Sequence, residues 1–185
     1  MTASALAPPQ PRLFTVADYY RMMYAGILKR DDRVELIKGE IVAMSPIGSR
    51  HAGCVNKLLR LLQRAFSADA IVAIQNPLHL SDYSEPQPDV SVLRARDDFY
   101  TRSHPTAADA LLLIEVADAS LMFDRGTKLP LYARSGIAEA WLVDLSNEVV
   151  EVHTLPGGEG YGHVQRFQGT DILPRIGVPA RDVLA

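Results

Sequence analysis

The chain is short of several things. It has one cysteine, Cys54, among 185 residues, so no internal disulfide can form and a secreted disulfide scaffold is excluded. Its longest apolar runs fall far below the ~20 residues that a membrane helix needs. The stretch from Met1 to Pro11 lacks a basic segment followed by an apolar core, which argues against a signal peptide. No charge of one sign dominates: 19 Lys and Arg face 22 Asp and Glu, for a formal net charge of -3. Attachment to nucleic acid or an anionic membrane by net charge alone is therefore not expected. The segment Gly157 to Gly162 is glycine-rich but has no Gly-Lys-Ser/Thr, which rejects a P-loop. No Gly-x-Ser-x-Gly elbow supports serine hydrolase chemistry. His51 and Cys54 make only half of a zinc site, with no second pair at a suitable spacing.

What is present reads as an ordinary folded protein. Apolar residues make up 48% and charged residues 22%, a mix with enough apolar surface to build a core. Residues 1–12 are Ala- and Pro-rich and are expected to form a loose tail, with one domain over 13–185 and a cytoplasmic location. No internal repeat or dividing linker is visible.

Thr15 followed by Asp18 fits a capped helix near 16–25. Arg33–Ile37 and Glu40–Met44 read as two strands around Lys38-Gly39. Val55, Leu58, Leu59, Leu62 and Phe66 recur at helical spacing, which predicts an amphipathic helix. Strands are expected at 70–74, 78–80, 90–93 and 111–116. A short helix capped by Thr127 should follow, over 127–133, closed by Ser135-Gly136. Strands at 140–143 and 148–155 pair through Ser146-Asn147, and a last strand runs over 163–167 beyond a glycine-rich tip. This predicts a mixed α/β core with a sheet of three to five strands flanked by helices.

A few polar residues stand out by their surroundings. Glu115 lies inside the apolar run Leu111–Val116. There an unpaired carboxylate costs several kcal/mol unless it is paired, protonated or bound to a cation; a strand end opening to water is the alternative. Asp89 follows Pro88 at the start of a strand, where proline stiffens the turn. Two carboxylates at the mouths of adjacent strands would make a hard oxygen site for magnesium or manganese. Lys128 opens the helix after the Glu115 strand and can return toward those carboxylates; a solvated first-turn lysine is the plainer reading. Glu35 shares a strand face with Ile37, a mild anomaly. His51, at the start of the amphipathic helix, either meets the site or caps and faces solvent.

Taken together, Arg33–Val42, Ser45–His51, Pro86–Asp89, Ile114–Val116, Asp124–Tyr132 and Gly136–Asp144 resemble the Uma-two family of restriction endonucleases, within the PD-(D/E)XK nuclease superfamily. The resemblance spans residues 13–155. It implies a restriction-endonuclease-like core with Asp89, Glu115 and the backbone carbonyl of Val116 as contacts for Mg2+ or Mn2+. Lys128 resembles the catalytic lysine, moved from the strand to the next helix, since Ala117 stands where Glu-x-Lys would place it. Glu35 resembles an additional acidic residue, and His51 is carried over with them. Asp118, in Glu115-Val-Ala-Asp-Ala-Ser120, adds a carboxylate whose role, metal ligand or turn cap, stays open. The function implied is a magnesium-dependent endonuclease acting on DNA, with Arg50, Arg94, Arg96, Arg102 and Arg125 as candidate phosphate contacts and a homodimer as the expected assembly. The competing reading is a non-catalytic binding or assembly module that kept the nuclease fold.

Overall fold

A computed structural model describes residues 11–29, 31–66 and 69–184; all but the end of the expected N-terminal tail lies outside them. Helix α1 (Val16–Tyr24) begins at Thr15, whose side chain and backbone exchange hydrogen bonds with Asp18 in a capping box, as the sequence predicts. Strands β1 (Val34–Ile37) and β2 (Glu40–Ala43) form an antiparallel hairpin. Lys38 and Gly39 both take positive φ, 51° and 80°, the pattern of a turn whose twist matches paired strands.

Helix α2 (Ser49–Phe66) follows. It buries Cys54, Val55, Leu58 and Leu62 on one side of a six-stranded sheet. Strands β3 (Ala70–Ile74), β4 (Val90–Arg94), β5 (Ala110–Ala117), β6 (Glu139–Asp144), β7 (Val149–Gly157) and β8 (Gly160–Phe167) lie in that sheet in chain order. Only β5 and β6 are parallel. A parallel neighbour needs a crossover, and here the crossover is the helical segment after β5.

That segment differs from the expected short helix. Helix α3 (Leu121–Phe123), a π-helical stretch Asp124–Lys128 and α4 (Leu129–Arg134) run on without a break. Thr127 is therefore not a cap but lies inside the π turn. The physical reason is Pro130, which has no N–H and whose ring would strike the carbonyl of Gly126 in a regular helix. Widening the preceding turn, with the Leu129 N–H reaching back to Asp124 O, accommodates it. Two further expectations are corrected. The strand expected at 78–80 is absent, because the backbone there turns back on itself, with the Leu78 N–H on Pro86 O and the Leu80 N–H on Ser84 O. Leu78 is nonetheless fully buried. The main sheet has six strands rather than three to five, because the chain after Asp144 pairs twice more.

Two apolar layers sandwich the sheet. Leu112, Ile114, Val116, Trp141 and Val143 pack with α2 and the short C-terminal helix α5 (Ala180–Leu184). Leu113, Ala117 and Leu142 pack with Leu129 and Tyr132 of α4. Glu115 alternates onto the second face, beneath α4.

The hairpin is fastened by the segment before β4. Glu85 N–H bonds Leu36 O, Gly39 N–H bonds Tyr83 O, and Lys38 N–H bonds Ser84 Oγ. A Cβ placed on Gly39 would approach the Leu13 Cβ to 2.6 Å, and its φ of 80° already disfavours a side chain. Gly39→Ala is expected to destabilise the protein by more than about 1 kcal/mol, measured by urea denaturation; an unchanged midpoint would contradict this account of the turn.

Candidate active site

The hairpin, the start of β4, the end of β5, the first turn of α2 and the π turn converge on one cavity of about 310 Å³. Glu35, Asp89, Glu115 and Lys128 all line it, and all are buried, at 2%, 8%, 2% and 4% exposure. Glu35 points inward because β1 is covered on both faces; its Oε2 accepts the Gln87 N–H at 2.9 Å. Val90 pairs with Ile114 across β4 and β5, which carries Asp89 abreast of Glu115. The π turn delivers Lys128 so that Nζ lies 3.1 Å from Glu35 Oε1 and 3.3 Å from Glu115 Oε1. Of the residues expected to form a site, these four and His51 come together.

Each carboxylate is held differently. Asp89 Oδ2 meets His51 Nε2 at 3.1 Å and the Val116 N–H at 2.9 Å, while Oδ1 accepts from Gln75 Nε2 at 3.1 Å. Burial pushes the Asp89 pKa up, but His51 and these donors outweigh it and hold it below the usual carboxylate range. The hydrogen bond to Asp89 raises His51 against the opposing effect of burial. Glu115 is pushed well above the ordinary value by burial, with Lys128 opposing and Asp124, Asp89 and Glu35 adding to the rise. Burial alone would lower Lys128, but Glu115, Glu35 and Asp124 more than compensate and keep it charged.

Several residues here carry no weight in the sequence pattern. Tyr132 is fully buried and donates its hydroxyl to Glu115 Oε1. Its place one helical turn after Lys128 is the signal that would have found it. Asp124, one turn before Lys128, is buried, accepts from Ser120 Oγ at 2.5 Å, and is pushed up to about 6 by burial. Gln75, Gln87 and Arg33 also line the cavity; nothing in their sequence neighbourhood marks them. Asp118 lines it too.

The expected phosphate contacts do not gather at this mouth. Arg94 Nε bonds Ala108 O at the far end of β4. Arg96 pairs with Asp98 and lies over the Tyr100 ring. Arg102 is exposed in the loop beyond β4. Arg125, on the π turn, reaches Glu151 at 3.2 Å and Asp144 at 3.7 Å. Arg50 lies in the first turn of α2 and pairs with Glu148 at 3.8 Å. Arg33 is the arginine on the cavity itself, with Nη1 on Ser45 O at 3.1 Å.

Among the described residues, no three His, Cys, Asp or Glu side chains form a ready-made metal cage. The donor set still fits a hard divalent cation of the magnesium type, which keeps several waters and takes one or two carboxylates. Five carboxylates, Glu35, Asp89, Glu115, Asp118 and Asp124, line the cavity against Lys128, His51 and Arg33, so acid exceeds base. Among the described residues, His51 Nδ1 is the one buried side-chain polar atom without a partner.

The protein is thus a mixed sheet flanked by helices, with Asp89 and Glu115 side by side at adjacent central strands and Lys128 brought to them by the π turn. The chain superposes on a crystal structure described as a "putative nuclease belonging to DUF820" from Anabaena variabilis ATCC 29413. The TM-score is 0.74 at 14% identity, covering 92% of this chain and 97% of that one. The chain belongs to the Uma2 family, described as "Putative restriction endonuclease", whose profile matches residues 16–181. No curated protein matches the sequence.

Tyr132→Phe removes one donor from a buried carboxylate while keeping the ring. It is expected to lower stability by ~1–3 kcal/mol, read by urea denaturation at neutral pH. A change within about 0.5 kcal/mol, ordinary for a surface position, would show that the hydroxyl does not hold Glu115.

Proposed function

We propose that this protein is a metal-dependent endonuclease that hydrolyses phosphodiester bonds in DNA, with Asp89 and Glu115 holding Mg2+ or Mn2+. The observation that carries this reading is Lys128, buried and charged between Glu35 and Glu115 on the same cavity as Asp89. A buried lysine with two carboxylate partners is an expensive arrangement for stability alone. Chemistry on a phosphodiester gives each group a task.

The ion would neutralise phosphate charge and polarise water. Lys128 offers its ammonium to a non-bridging phosphate oxygen, where negative charge grows as the attacking oxygen bonds to phosphorus. Glu35 fixes the lysine and keeps it protonated. Tyr132 donates to Glu115 Oε1, and the Lys128 ammonium lies between both oxygens, 3.3 Å from Oε1 and 3.5 Å from Oε2, so the two donors fix the orientation of the carboxylate. His51 and Gln75 orient Asp89, the kind of supporting contact that sharpens a metal site. The Val116 carbonyl is a further contact by family resemblance.

Asp89→Ala, Glu115→Ala and Lys128→Ala are each expected to abolish manganese-dependent cleavage of DNA, at least a hundredfold, as folded proteins by circular dichroism. Calorimetric titration with Mn2+ should give heat with the unaltered protein and none with Glu115→Ala. Undiminished cleavage by Glu115→Ala would overturn the assignment of the site, and absence of heat from both proteins would favour the non-catalytic module.

A further inference from the structure

Arg33 stands just before β1, and its carbonyl accepts the Met44 N–H at 2.8 Å. That bond carries the hairpin one step past the pairing of Val34 with Ala43. Side chains alternate along a strand, so Arg33 shares the face of Glu35, and both line the cavity. At ~3.4 Å per residue the two positions lie about 7 Å apart along the strand. Glu35 in turn holds Lys128 at 3.1 Å. Two cations are thus set along one face of the hairpin, the lysine clasped by carboxylates and the arginine not.

That difference is unusual in this molecule. Arg50, Arg96, Arg125, Arg166 and Arg175 each pair with a carboxylate. Arg33 pairs with none among the described residues, although five carboxylates line the cavity it faces. Its Nη1 instead donates to Ser45 O at 3.1 Å, in an exposed hydrogen bond. A guanidinium has five N–H donors in a rigid fork. A carbonyl that takes one of them sets the direction of the group without neutralising its charge. The donors left over match two oxygens of one phosphate, the geometry in which arginine surpasses lysine. The partly buried Arg33 is therefore directed, charged and unpaired beside a cavity whose acids repel a phosphate chain, and an anion is the partner that this arrangement suits.

We infer that Arg33 binds a backbone phosphate of the substrate strand through two of its N–H groups, next to the phosphate that meets Lys128. The inference rests on the phosphodiesterase reading of the same cavity. Such a contact reads charge and not base sequence, so its loss weakens binding of every DNA sequence alike.

The test is equilibrium binding, separate from cleavage. Fluorescence anisotropy with the full chain and a labelled DNA duplex, in fixed Ca2+ and over a series of salt concentrations, gives affinity and its salt dependence; a gel checks that the DNA stays whole. Arg33→Gln keeps a polar side chain and drops the charge. It should weaken binding roughly tenfold or more and flatten the slope of log affinity against log salt by about 0.9. Arg33→Lys should keep the parent's slope and recover only part of the affinity, because an ammonium lacks the fork. Both variants should melt near the parent's temperature. An unchanged slope in Arg33→Gln, or parental affinity in Arg33→Lys, overturns the inference and leaves the nuclease reading standing. No DNA bound by the unaltered protein would overturn both. The expected change of slope without any hydrolysis in Mn2+ would uphold the contact and sink only the catalytic reading.

Discussion

One ion pair organises this molecule. Lys128 is buried between two carboxylates, Glu35 from the hairpin and Glu115 from the central strand. Removing one member of such a set strands the remaining charge in a dry interior. The arrangement requires β1, far off in sequence, to be in register with β5 and with the π turn that follows it. Much of the surrounding structure serves that requirement. The strap of Ser84 to Gln87 holds the hairpin by the Glu85 N–H on Leu36 O, the Lys38 N–H on Ser84 Oγ and the Gln87 N–H on Glu35 Oε2. Arg125 ties the outer side of the π turn to Asp144 and Glu151, and Tyr132 pins the turn that follows to Glu115.

The same interaction divides the labour among the acids. Asp89 has its own imidazole, amide and backbone donors and stays ionised easily, whereas Glu115 is driven upward by burial and relies on Lys128. The two carboxylates therefore stand abreast in unlike surroundings, one satisfied by several donors and one dependent on a single cation. The architecture around them tolerates wide change in sequence. The Anabaena protein keeps the architecture at 14% identity.

Much of this was legible in the residues. The capping box at Thr15, the positive-φ hairpin at Lys38-Gly39 and the buried face of α2 all follow from local pattern, because each is decided within a few residues. Glu115 was visible as a carboxylate in a run that should be dry. Asp89 and Lys128 could be named as candidates to meet it, but that Glu35 joins them rested on the family resemblance, since periodicity says nothing about which distant strands meet. Thr127 misled because a Thr three residues before a proline looks like a cap, whereas the chain is already helical from Leu121 and accommodates Pro130 by widening a turn. Leu78 looked like part of a strand because it is buried, but burial and pairing are separate properties. Gln75 and Arg33 had no local signal, since their importance comes from the cavity they line.

The most direct test of the central claim is a crystal of the protein soaked in Mn2+ and measured at the manganese absorption edge. An anomalous peak bonded to carboxylate oxygens of both Asp89 and Glu115, at about 2.0–2.2 Å, with Lys128 still against Glu35, is the result this account predicts. A fully soaked crystal with no peak in the cavity, or with the ion bound by neither carboxylate, would contradict it.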